Sequence, residues 1–75
     1  MIEYRPEIAY CDSPVGLTKI LDVVPKVPSD LAITEIHGPI VGSRYYDEHS
    51  DEGERTEFFF KHGLFVLIYR RSIRM

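Results

Sequence analysis

The chain has 75 residues and a net charge of −3, with 44% hydrophobic and 28% charged residues. That describes one small globular domain, and it excludes a disordered chain and leaves no room for a second domain. Disulfides within the chain are excluded as well, because Cys11 is the sole cysteine. Ile and Val total 14, and Phe and Tyr total 9, against only 2 Ala. β-Branched and aromatic residues fit pleated surfaces, whereas Ala favours helices, so the composition predicts a sheet and not a helical bundle. A core this small supplies only about 3–5 kcal/mol of net stability, which makes a partner subunit a natural supplement.

Residues 2–10 alternate, with Ile2, Tyr4, Ile8 and Tyr10 on one side and Glu3, Arg5 and Glu7 on the other. This predicts a half-buried strand. Pro6 cannot donate to a ladder, so the strand is expected at an edge or at a bulge. Ser13 and Pro14 next read as a helix start. Leu17, Ile20, Leu21 and Val24 follow at helical spacing, and Pro25 ends the pattern. Residues 25–30 (PKVPSD) form a stiff connector. Residues 31–37 and 40–46 read as extended, either as one bent strand or as two short ones divided by Gly38-Pro39. Residues 47–53 (DEHSDEG) read as a polar loop.

The C-terminal hairpin is the best-defined element. Residues 54–61 and 64–73 flank His62-Gly63, a two-residue loop that suits a type I′ turn. That register sets Phe60 opposite Phe65, Phe58 opposite Leu67, Thr56 opposite Tyr69 and Glu54 opposite Arg71. Phe59 meets Val66, Glu57 meets Ile68, and Arg55 meets Arg70. The two arginines repel unless an acid stands near, and Glu57 is placed to answer Arg70. Residues 64–69 are apolar on both faces, and one helix covers only one face. Phe59, Leu64, Val66 and Ile68 are therefore candidates for a partner or subunit interface.

No catalytic constellation is legible. Cys11 lies before the predicted helix start with no base nearby in sequence. The three histidines (His37, His49, His62) lack the close spacing of zinc ligands. The acidic loop fails as a calcium loop, because Phe58 stands where the bidentate Glu belongs. No Gly-rich phosphate loop is present. The expectation is a chain with no metal and no cofactor that is not an enzyme.

Charge is unevenly spread. Residues 47–57 carry net −5, and residues 58–75 carry net +4. Asp47, Glu48, Asp51 and Glu52 are candidates for an acidic binding surface. Arg70, Arg71 and Arg74 are candidates for phosphate contact. The lone thiol and a longest apolar run of six residues (64–69) predict a soluble cytoplasmic protein with no membrane span.

The order strand, Asp12-Ser13, short helix, strand, acidic turn (YYDEHSDE), strand, strand loosely resembles the small bacteriophage inhibitors of uracil-DNA glycosylase. The resemblance implies an acidic, DNA-like surface that occupies an enzyme's DNA groove. The chain departs from that pattern at Pro14 and in its basic C-terminus.

These readings predict an α+β domain over residues 1–75, a small antiparallel sheet of three to five strands with one short helix on one face. The leading functional expectation is a non-catalytic binding module that acts through protein–protein contacts, with a second copy of itself among the partners considered. One alternative is an acidic-surface inhibitor of a nucleic-acid enzyme. Another is a small RNA-acting toxin or RNA-binding protein, with His62 or His49 as base and Arg70 or Arg71 on phosphate.

Overall fold

The structure, a computed structural model, describes residues 2–73. Five antiparallel strands and one helix follow the order β1 (Ile2–Tyr10), β2 (Thr18–Ile20), α1 (Asp30–His37), β3 (Ile40–Tyr46), β4 (Arg55–Phe60) and β5 (Phe65–Ile73). The sheet order is β2-β1-β5-β4-β3. The fold is thus α+β, with a single short helix on an antiparallel sheet. No helix among the described residues is long and apolar enough to cross a membrane.

The helix does not fall where the first apolar periodicity placed it. Residues 13–24 form a tight turn followed by the short strand β2. Gly16 adopts φ +62°, a left-handed conformation that breaks a helix. The Ser13 Oγ accepts from Val15 and Leu17 N–H groups, so Ser13 caps a turn instead. Leu21 N–H donates to the Pro6 carbonyl, and Tyr4 and Val24 exchange two backbone bonds at 2.8 Å. Val23 and Val24 suit that extended role better than a helical one.

Residues 31–37, expected as a strand, belong to α1. The Ser29 Oγ accepts from Ala32 N–H at 3.2 Å, a standard N-cap, and Asp30 occupies the first turn. Gly38 ends the helix at φ +100°, its N–H donating to the Thr34 carbonyl at 2.8 Å. Pro39 follows and forbids continuation. The start and stop signals of this helix were present in the sequence, but its apolar residues do not form a helical stripe. Only Ile33 is buried, while Leu31 and Ile36 face solvent.

β1 is not an edge strand, since β5 lies on one side of it and β2 on the other. Pro6 is tolerated because its carbonyl points to β2, accepting from Leu21. A residue's N–H and C=O point the same way in a strand, so the missing donor also faces β2 and costs the β5 ladder nothing. On the β2 side the pairing slips by one residue between Pro6–Leu21 and Tyr4–Val24. The bulge expected as Pro6's other resort is therefore present, on the strand facing it.

The hairpin register agrees at every observed pair, from Arg55 with Arg70 to Phe59 with Val66. The turn differs. Neither His62 nor Gly63 has a positive φ, which a type I′ turn requires at both positions. Four residues, 61–64, lie between the strands. Gly63 is needed for space: a Cβ there would come within 2.7 Å of the Phe60 Cβ.

The core lies between α1 and one face of the sheet. Ile33, Phe58, Leu67 and Tyr69 are buried there, with Tyr4, Ile8, Val24, Val27, Ile40, Phe60 and Phe65 packed around them. Phe58 and Tyr69 meet edge to face, ring centroids 5.9 Å apart.

Candidate interaction surface

The opposite face has no helix over it, yet Arg55 and Glu7 on that face are only 7% and 8% exposed. Their own charged layer covers them. The Arg55 Nε donates to Glu57 at 2.8 Å, and its Nη1 donates to the Ser50 Oγ and Gly53 carbonyl at 3.0 Å each. Its guanidinium lies 3.8 Å over the Tyr46 ring. The Arg70 Nε donates to Glu7, and its Nη2 donates to Glu52 at 2.9 Å. Glu57 thus answers Arg55 and not Arg70. Glu7 and Glu52 answer Arg70, a pairing between distant segments that sequence spacing does not reveal.

This lattice also folds the acidic loop onto the sheet. Asp47 Oδ1 accepts from His49 N–H at 2.9 Å, and Gly53 turns the chain at φ +83°. Glu52 bridges Arg70 and Arg55, at 2.9 and 3.7 Å. The hydrogen bond from Arg70 and its positive charge hold the Glu52 carboxyl below its ordinary range. Of the four acidic candidates, Asp47, Glu48 and Asp51 lie outward on the exposed loop, while Glu52 is tied to the sheet.

The phosphate candidates are similarly engaged. Arg70 holds two carboxylates, and Arg71 bonds Glu54 at 3.0 Å, the ion pair the hairpin register implied. Arg74 lies outside the described residues. His62 sits in the turn before β5, and Arg70 lies toward the other end of that strand, roughly 17 Å beyond Phe65 at the ordinary rise of a strand. His49 is exposed, 3.8 Å from Glu48. Cys11 is exposed, and the segment directly after it leads into β2 and not into a helix. Among the described residues, no three His, Cys, Asp or Glu gather as a metal site.

Of the four apolar candidates, Phe59, Val66 and Ile68 share the face away from α1. Ile68 is buried, flanked across both strands by Glu7 and Glu57. The stems of those charged side chains shield it. Phe59 and Val66 are half-buried. Leu64 stands apart, in the turn and 67% exposed.

Leu64 joins a surface that sequence reading missed. A cleft of about 380 Å³ opens at the turn end of the sheet, lined by Tyr10, His37, Pro39, Phe60, His62, Gly63, Leu64 and Phe65. No Asp, Glu, Lys or Arg lines it. Its floor is a chain of rings, with centroids at 6.4 Å for Tyr10–Phe65, 5.1 Å for Phe65–Phe60 and 5.8 Å for Phe60–His37. A second hollow of about 260 Å³ shares Tyr10 and Leu64 and adds Leu17, Asp12 and Ser13. Tyr10 and Leu64 are thus a ridge between two adjoining apolar hollows. Leu17 entered the sequence reading only as part of a helical stripe. The signal was obscured because β2 pairing, not helical periodicity, brings it beside Tyr10.

Compared with protein-family models, curated proteins and solved structures, the chain has no match in any of the three.

Proposed function

We propose that this chain is a non-catalytic binding module that acts through protein–protein contact at the turn end of its sheet. The partner inserts an apolar side chain beside the Tyr10–Leu64 ridge. One observation carries this reading: Leu64, Leu17 and Tyr10 form a continuous exposed apolar surface beside a ring-floored cleft lined by no Asp, Glu, Lys or Arg. Several of the chain's charges, by contrast, are paired with one another on the opposite face. A contiguous exposed apolar patch next to a concave ring platform is what a protein anchor requires.

The acidic-surface inhibitor is supported less well, because Glu52 is occupied by two arginines and the loop is drawn onto the sheet. The RNA reading has Arg70 and Arg71 occupied by carboxylates.

The test is affinity capture from the source cell with three baits. A partner held by the wild type and by Glu48→Gln/Asp51→Asn, and lost with Leu64→Glu, supports the reading. A partner held equally by Leu64→Glu but lost with the loop variant removes it in favour of the acidic surface.

A further inference from the structure

The cleft at the turn end carries two titratable rings whose chemistry apolar docking alone does not use. His37 closes α1, and His62 lies in the hairpin turn. One bond brings them to the same cleft: Lys61 N–H donates to the Pro39 carbonyl at 3.0 Å, which fastens the hairpin turn to the segment after the helix. His62 is exposed at the rim, whereas His37 is half-buried. The His37 ring meets Phe60 at 5.8 Å and Phe65 at 6.3 Å, edge to face in both cases. His37 is thus part of the floor that an inserted side chain covers.

Imidazole is the side chain that ordinarily changes charge between about pH 5 and 8. The groups around His37 decide what that charge does. The other titratable groups lining the cleft are Tyr10 of β1 and His62, and β4 and β5 contribute Phe60 and Phe65. On α1 itself the nearest acid in sequence, Glu35, is exposed. Lys61, exposed beside His62, adds a like charge. Asp12 lines the adjoining hollow, beyond the Tyr10–Leu64 ridge, and the exposed Cys11 thiol donates to the Ala9 carbonyl. No carboxylate lines the cleft to pair with an imidazolium at His37.

We infer that His37 is a proton gate on this cleft: its neutral form admits an aromatic side chain of a partner, and its protonated form resists one. The inference rests on the docking proposed above. An aromatic occupant suits a floor whose rings already meet one another at 5.1 to 6.4 Å in tilted and edge-to-face contacts. While the cleft is open, water solvates the charge, and the carbonyl end of α1 tolerates it. An inserted ring displaces that water and brings no anion in exchange. The charge is then covered without a partner, which is costly. The neutral imidazole escapes that cost and adds one more ring to the wall.

The probe is indole, a neutral aromatic that does not titrate in this range, and NMR of the full chain reads both its binding and the His37 imidazole. Binding should weaken by roughly fivefold or more from about pH 8 to about pH 5. By reciprocity, saturating indole should move the His37 titration to lower pH by the logarithm of the same factor. His37→Gln should flatten the dependence. His49→Gln, in the acidic loop at the opposite end of β4, should leave it intact. Binding equal at the two pH values, or a His37 titration that indole does not move, overturns the gate and leaves the docking surface in place. A dependence that survives His37→Gln overturns the gate as well. Absence of indole binding at both pH values removes the docking surface itself, and the gate with it.

Discussion

The two faces of this sheet are covered by opposite means. On one, α1 lays Ile33 against Phe58, Leu67 and Tyr69, an apolar core of the ordinary kind. On the other, Arg55, Arg70, Glu7, Glu57 and Glu52 lie over Ile68 and over one another. Both coverings produce buried residues, but only the first excludes water by apolar contact. The second depends most on its buried members, Arg55 and Glu7, because a buried charge left without its partner is costly. A sheet face without a helix is therefore not automatically an open binding surface. Here an exposed apolar surface adjoins a ring-floored cleft at the end of the sheet instead.

Truncation separates the two coverings most sharply. Phe58→Ala empties the helix-covered core and should cost about 3–5 kcal/mol, read from urea unfolding. For a chain of this stability that is most or all of the folding energy. Arg55→Ala leaves Glu57 without its main partner and unties the loop at Ser50 and Gly53. It should cost about 2–4 kcal/mol, less than the loss of a fully buried ion pair because Glu57 keeps some contact with water. If Arg55→Ala costs under half a kcal/mol, the charged covering is decoration and the contrast fails.

Ser29→Ala removes the cap of α1 and should cost about 1 kcal/mol, with the effect confined to the helix-covered face by amide exchange. Acid should act on the charged face through Glu52. The Glu52 carboxyl is lower in the folded chain than in the unfolded one. Its contribution is therefore complete above the ordinary carboxylate range and is lost as pH falls through the folded value. Glu52 is exposed, so the expected effect is the smallest of the four. Protection of the loop amides, corrected for the intrinsic pH dependence of exchange, should fall at low pH in the wild type and change less in Glu52→Gln.

The hairpin was legible because its information is local. Alternation along two adjacent runs fixes which side chains face each other, and one short connection fixes the register. Even the Glu54–Arg71 ion pair followed from that arithmetic. The helix was not legible, because two segments offered start signals. Ser13-Pro14 preceded a better apolar stripe, while Ser29-Asp30 and Gly38-Pro39 bracketed a poorer one. Gly16's left-handed backbone and the pairing of residues 17–24 with β1 removed the first candidate. Nothing in either segment alone states that β1 needs a neighbour.

The amino-acid sequence by itself determined that this chain builds a sheet with one short helix and a two-sided apolar hairpin. Those properties depend on residue type and near-neighbour spacing. The tertiary structure decided which segment became the helix, which carboxylates hold Arg70, and where the exposed apolar surface gathers. Those depend on contacts such as Glu7 with Arg70, 63 residues apart, whose partners are chosen by the assembled sheet.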